Sequence, residues 1–404
     1  MKKYFLLSFL ILLLFPAVIS AQTGIGQWRT HLPYGEVIDV AVTPGLIYAA
    51  TPYTLFTYRL KDDKISVFDK VKGLNDLGIN KIDYDKKSGQ LLVAYSDANI
   101  DLINNKGNVT NIPDIFNKYM LGIKTINNIF FRDEFAYLSC SFGIVVLDMK
   151  KHEIKDTYYI GPNGSALDVL DITANDTSLF AATAKGIYYS NLNATNPADY
   201  RQWHLETRLP VPQQTYNLIS AFGGKIYANY TSGNWDGDTL YVFDGNRWNY
   251  FFPSNHSHHF QLNTEGDALL LVNRYWVEAF DKSGKRVFYV NKASTAGFQP
   301  LAARGDVKND VWIGTMTKGL LKTRDQNNTQ ELIQPNGPGS VHVFGLDARG
   351  EAVWVVPGGY QSDWSKAYIQ DGVFTFHNGQ WKTLNQSNTP AFDSITDPVC
   401  VKVD

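Results

Sequence analysis

Cysteine is almost absent: Cys140 and Cys400 are the only two in 404 residues. They fall far apart, so no disulfide framework holds this fold and no cysteine set is available for zinc. Cys140 closes an apolar segment and reads as a buried free thiol. Charge of one sign is also lacking. Lys plus Arg number 37 against 39 Asp plus Glu, a formal charge of −2, so no basic field points to nucleic acid. Catalytic signatures are missing too. There is no GxSxG, no Walker loop, no GxGxxG opening a helix and no HExxH. Asp62-Asp63 lies in a charged turn and reads as solvated.

Long apolar runs are confined to the start. Lys2 and Lys3 precede the apolar stretch from Tyr4 to Phe15, and small residues follow at Ile19-Ser20-Ala21. That is a secretory signal peptide, predicted over 1–21 with cleavage before Gln22. No cysteine follows the cleavage site, which argues against a lipoprotein anchor. No later run approaches the ~20 residues a spanning helix needs, so no transmembrane segment is expected in the mature chain. Helical periodicity is likewise not sustained anywhere after the signal peptide.

What remains is abundant aromatic and β-branched residues in a regular pattern. Aromatics make up 14% of the chain, a strand-favouring composition. Eight short apolar segments recur, around Tyr48, Leu92, Tyr137, Phe180, Tyr227, Leu270, Trp312 and Trp354. Their spacings are 44, 45, 43, 47, 43, 42 and 42 residues. A period of about 40–45 residues with several strands per unit predicts a β-propeller. The unit at 126–164 reads as four strands. They are Ile126 to Phe131, Phe135 to Cys140, Ile144 to Asp148 and Ile154 to Ile160, parted by turn residues such as Arg132-Asp133-Glu134. The other inner strands are predicted to start near Ile38, Ile79, Val169, Tyr216, Phe260, Leu301 and Val341. Small residues in second strands (Ala49, Ala50, Ala181, Ala182, Gly314) permit close packing where blades taper inward.

The eighth unit departs from the pattern. Its second and third strands are separated by a long connection from Pro357 to about Lys366, and a further strand is predicted near Val399. One eight-bladed ring is possible, or a seven-bladed ring followed by the start of a second. The linker-like stretch Gln334 to Ser340 favours the second count. The predicted fold class is therefore all-β, a seven-bladed propeller of four-stranded blades over 38–338, then 339–404 as the opening of a second, truncated propeller. The chain is expected to be part of a longer protein. GQWRTHLP at 26–33 resembles the outer-strand sequence at 201–210, and GQWKTL at 379–384 does so too. Segment 22–37 is accordingly predicted to supply an outer strand that closes one of the two rings.

VWIGTMTKGLL at 311–321 resembles the repeat of two-component-regulator propellers. The stretches 66–103 and 126–161, with QWRTHLPYGEVIDVAV at 27–42, are similar to the PorZ family's N-terminal propeller from the type IX secretion system. The resemblance implies an exported protein of the periplasm or cell surface, associated with the outer membrane. It implies sortase-complex partners (PorU-, PorV- and PorQ-like) and anionic lipopolysaccharide as ligand. It implies no cofactor, and it transfers no ligand-contacting motif to individual residues.

Candidate ligand residues come instead from propeller geometry, in which the loops between second and third strands share a face. Those loops offer Tyr53, Asp97, Lys185, Trp235, Arg274, Tyr275 and Lys318. Lys and Arg pair with phosphate, and Tyr and Trp stack on sugar rings. The bland reading is that each is a solvated loop residue or packs one blade against the next. Asn234, Asp236 and Asp238 alternate like half a calcium loop but read as a turn. His256, His258 and His259 read as an exposed loop, without the partners that zinc needs. The function expected is a non-enzymatic surface binding and scaffold module that presents anionic lipopolysaccharide or a related glycan to a sortase. The alternative is a periplasmic glycan-sensing propeller of a two-component-type regulator. An enzyme assembling single residues from several blades is a third reading.

Overall fold

The computed structural model describes residues 28–234, 236–251, 256–291, 298–324, 326 and 329–403. The signal peptide and Trp235 lie outside these residues. From Leu32 to Asp404 the chain clusters as one compact unit. It forms eight four-stranded antiparallel sheets, each a simple up-and-down meander. They span 39–68, 79–112, 126–158, 169–205, 216–250, 259–290, 300–333 and 345–384. The chain is an all-β propeller.

Second strands such as Gln90–Tyr95 and Ala268–Asn273 are buried almost throughout. Each is covered on both faces by neighbouring sheets, so its sequence is a continuous apolar run rather than an alternation. Outer strands such as Lys64–Phe68 and Glu153–Tyr158 meet solvent and carry the charges. The eight recurring anchors occupy one level of the fold. Tyr48 pairs with Ala41, Leu92 with Asp83, Tyr137 with Phe130 and Phe180 with Thr173. Tyr227 pairs with Ser220, Leu270 with Asn263, Trp312 with Arg304 and Trp354 with Asp347. The sequence period is thus a register: the same rung of the ladder in every sheet.

Six inner strands also share a one-residue bulge at their second position, namely Asn80, Asn127, Leu170, Asn217, Phe260 and Leu301. A bulge frees the extra residue from the ladder and turns the strand. Three of the six are asparagines that reach the next sheet. Asn80 donates to the Ile126 carbonyl at 2.6 Å, Asn127 to that of Val169 at 2.7 Å and Asn217 to that of His259 at 3.4 Å. Neighbouring inner strands pack against each other in chain order from the first sheet to the seventh. The inner strand of the seventh then packs against that of the first.

That junction is sealed by the segment before the first strand. The Val37 N–H donates to the Thr315 carbonyl at 2.8 Å, and the Gly319 N–H donates to the Gly35 carbonyl at 2.7 Å. Tyr34 and Val37 pack among Ile47 and Phe56 of the first sheet and Trp312, Leu320 and Ile333 of the seventh. Gly314 has to be glycine here, because a Cβ would lie 2.6 Å from the Val37 carbonyl oxygen. The outer strand predicted at 26–33 does not form: residues 28–38 contain no strand, and 26–27 lie outside the described residues. The seventh sheet already has its own outer strand, Gln330–Ile333, so no outer place is vacant. The segment seals the seam by side chains and two backbone bonds instead.

The eighth sheet has the same meander but different surroundings. Its inner strand starts at Gly345, four residues later than expected, because Phe344 is the first residue whose N–H reaches the Val356 carbonyl. The long connection is real and runs from 357 to 372. The strand predicted near Val399 is absent. The segment lies beside the inner strand, with the Gly358 N–H on the Pro398 carbonyl and the Val403 N–H on the Asp347 carboxylate. In the first seven sheets the residue before the anchor partner is buried: Val40, Ile82, Ile129, Ile172, Ile219, Leu262 and Ala303 are 0–6% exposed. The equivalent Leu346 is 62% exposed. The inner strand of the eighth sheet therefore has one apolar face without a neighbour.

Replacing Tyr34 by Ala removes the ring that bridges the first and seventh sheets. The expected loss is about 3–5 kcal/mol, as for other buried aromatic truncations. Urea unfolding checks it, and a loss below about 1 kcal/mol would show that the seam does not depend on this side chain.

Candidate functional site

The second-to-third-strand turns lie at the end of each sheet where the inner strand begins. A cavity of about 840 Å³ lies at the opposite end, lined by residues from the inner strands of all of the first seven sheets and by their turns. The two regions are separate, and none of the six predicted residues among those described lines the cavity.

Tyr53 is half-buried in the first turn, with its N–H on the Thr51 hydroxyl. Asp97 is half-buried in the second. Burial raises its carboxyl, and nearby Asp76 adds to the effect. Lys185 is exposed in the fourth turn and Lys318 half-buried in the seventh. Their N–H groups rest on the hydroxyls of Thr183 and Thr315. The repeated Thr fixes the turn and leaves the following side chain free to vary. Arg274 and Tyr275 are brought together in the sixth turn, with the guanidinium 5.6 Å from the ring centre. Tyr275 also stacks on Trp276 at 6.0 Å. The remaining candidates stand on turns of different sheets.

The histidine cluster is not an exposed loop throughout. His259 is fully buried, because it is the first residue of the inner strand and its ring meets Asn229 of the preceding sheet. Its Nδ1 lies 2.7 Å from the Asn229 side-chain oxygen, and its N–H donates to Asp238 at 3.0 Å. His258 sits 3.5 Å from the same carboxylate. Burial pushes His259 down to about 4, so it is neutral in the folded protein at pH 7. Asp238, read as an ordinary turn residue, is the buried hub of this group. Among the described residues no cluster of His, Cys, Asp and Glu could hold a metal ion. Cys140 is a buried free thiol, as its strand position requires, and Cys400 is exposed and free.

The cavity lining was not singled out by motif. At the anchor level Arg304 is nearly enclosed. Its guanidinium lies 3.6 Å from Asp83 and 3.5 Å from Glu265. Burial opposes its charge, but Asp83, Glu265, Asp39 and Asp171 outweigh that and hold it protonated. Burial raises Asp83 and Glu265, with Arg304 acting against the rise in both. One level further in, Asp171 is pushed up to about 6 by burial. It is nonetheless fully occupied, accepting from the Ile219 N–H at 2.8 Å, the Ile172 N–H at 2.7 Å and Asn128 at 2.5 Å. Six carboxylates (Asp83, Asp85, Asp133, Asp171, Glu265, Asp306) meet four cations (Lys86, Lys87, Arg132, Arg304) in the lining. That balance repels an anion deep in the channel and accepts hydroxyl-rich or cationic groups. The readable signal was charged residues at inner-strand positions, as in Ile82-Asp83 and Ala303-Arg304.

Comparison with known proteins agrees with this architecture. Residues 47–204 match the model of the type IX secretion (TSS9) PorZ N-terminal β-propeller domain. The PorZ-like character read from the sequence is therefore present in this part of the chain. The structure is similar to PorZ of Porphyromonas gingivalis, described as an essential bacterial surface component of the type-IX secretion system. The TM-score is 0.75 at 20% identity, over 90% of this chain and 46% of that one. It is also similar to the extracellular domain of a hybrid two-component system from B. thetaiotaomicron, with a TM-score of 0.54 at 14% identity, over 91% of this chain and 49% of that one. The chain thus spans about half the length of both. No curated protein sequence matches it.

Arg304→Met leaves Asp83 and Glu265 without their cation. The expected destabilisation at pH 7 is about 2 kcal/mol, less than for a dry ion pair because the channel is open to water. Both carboxyls are raised in the folded state, and more so in the variant. Folding then favours proton uptake, and the deficit should shrink as pH falls from 7 towards 5. Denaturation at both pH values checks this; a deficit independent of pH would mean that the carboxylates are not what Arg304 holds.

Proposed function

We propose that the chain is a non-enzymatic binding and scaffold module of a type IX secretion attachment complex. It presents anionic lipopolysaccharide or a related glycan to a sortase, with PorU-, PorV- and PorQ-like partners. It is exported by its signal peptide and works in the periplasm or at the cell surface, associated with the outer membrane. The observation that carries this reading is the match of residues 47–204 to the PorZ N-terminal propeller. Charge supports a division of labour between the two ends. The channel lining carries more carboxylates than cations, so an anionic glycan belongs on the turn face, where Lys185, Arg274 and Lys318 offer charge and Tyr53 and Tyr275 offer rings.

In this reading residues 38–338 form a seven-bladed ring, supported by packing of the seventh inner strand on the first. Residues 339–404 open a second propeller, and the exposed Leu346 face is where its next blade packs. The alternative, a glycan-sensing propeller of a two-component-type regulator, draws on a likeness of fold to the B. thetaiotaomicron domain. It requires ligand binding to change the activity of a kinase partner.

Titration of purified chain with anionic lipopolysaccharide tests the reading. Reversing the three turn-face charges (Lys185→Glu, Arg274→Glu, Lys318→Glu) should weaken binding at least about tenfold, roughly 0.5–1 kcal/mol per charge contact. Arg304→Met should leave it unchanged. Binding that follows Arg304 instead would move the ligand into the channel, and no binding at all would remove the carrier role.

A further inference from the structure

The connection between the second and third sheets, residues 113–125, opens on the turn face and presents apolar side chains to solvent. Tyr119 is 90% exposed, Leu121 89% and Ile123 74%. Surface leucines are common singly. Three large apolar groups at alternate positions of one loop are not an accident of slack chain, because the loop is fastened from beneath. Met120, between two of them, packs into the core of the second and third sheets. The Lys124 ammonium donates to the carbonyls of Ile115, Phe116 and Lys118, at 3.2, 2.5 and 3.2 Å. It thereby caps the open end of the one-turn helix Asp114–Asn117. The Ser141 hydroxyl holds the Ile123 carbonyl at 2.5 Å. Gly122, at φ 94°, makes the turn that L-residues resist. The chain therefore holds these three side chains outward.

We infer that this loop is a lipid-insertion tip and that the turn face rests on a membrane surface. The shape selects a lipid over a protein pocket. The tip is convex and nearly fully exposed. Further apolar side chains stand on separate connections of the same face, with Val71 and Leu77 before the second sheet and Met316 in the seventh turn. Scattered tips parted by polar residues do not make one complementary patch, but a fluid apolar layer receives each of them independently. The order of residues fits an interface: Leu121 and Ile123 at the tip, Tyr119 at headgroup depth and Lys118 at the flank. Charge is nearly balanced in the loop, with Asp114 against Lys118 and Lys124, so apolar burial rather than attraction to anionic lipid drives binding.

The test is co-sedimentation of the full chain with vesicles of phosphatidylethanolamine containing a minor share of phosphatidylglycerol and no lipopolysaccharide. The native protein should sediment with vesicles, with little dependence on salt. Leu121→Ser with Ile123→Ser should reduce partition at least about tenfold, given the apolar area of two such side chains. Lys118→Ser should change it less than threefold. Thermal unfolding of the variants keeps the result interpretable, because Met120 and Lys124 are untouched and the fold should be retained. Absence of vesicle binding by the native chain overturns the inference, as does equal binding by the double variant. Loss of association with a purified protein partner while vesicle binding persists would also overturn it, by making the tip a protein contact. Lipopolysaccharide also carries acyl chains, so the glycan reading is separated by the turn-face charge reversals, which should weaken lipopolysaccharide binding and leave vesicle partition unchanged.

Discussion

An inner strand of a propeller has one edge with no strand beside it, and the fold depends on how its backbone groups are satisfied there. Here the neighbouring sheet supplies side chains. Asp39 of the first sheet accepts the Ile82 N–H of the second, Asp171 of the fourth accepts the Ile219 N–H of the fifth, and Gln261 of the sixth accepts the Ala303 N–H of the seventh. These three residues hold the same register position in their sheets. A buried N–H left unpaired costs about 1–3 kcal/mol, so each such bond ties one sheet's register to the next. The asparagine bulges act one step earlier on the same edge, donating to the next strand's carbonyl. Sheet-to-sheet order is thus fixed by polar bonds on the channel side and by apolar packing everywhere else.

The repeat was legible because packing on both faces demands apolar second strands, and the eight anchors report that demand directly. Boundaries were legible wherever turn residues are strict, as at Arg132-Asp133-Glu134, where Asp133 takes φ 55°. The closing segment was misread because GQWRTHLP shares the composition of an outer strand, while its role is decided by whether an outer place is open. Gln330–Ile333 had filled it. The late start at Gly345 had the same cause, since Val341 and Val343 are strand-like residues with no ladder partner.

The functional surfaces were less legible. The described turn residues could be assigned from topology alone to second-to-third-strand turns, which the sheet order bears out. What the sequence does not show is three-dimensional convergence. Asp83, Glu265 and Arg304 are distant in the chain and meet only because their sheets close around an axis. Asp238 and His259 likewise look like loop residues until the register buries them together. The exposed tip at 119–123 was hidden for the opposite reason. Its residues look like strand, and only the Lys124 cap and the Met120 plug turn them outward.

The shared register has a further consequence for how such a molecule can change. At the anchor level the seven positions Ala41, Asp83, Phe130, Thr173, Ser220, Asn263 and Arg304 differ in size, charge and polarity, although their partners across the ladder are uniformly large and, apart from the half-buried Tyr137, buried. Frame and lining are therefore coupled only where a lining group also bonds between sheets, as Asp171 and Arg304 do. A substitution elsewhere on the lining changes the chemistry of the axis and leaves the packed frame in place. The same scaffold can change what its axis presents through single substitutions at those positions, and a fold this similar is kept at 20% identity.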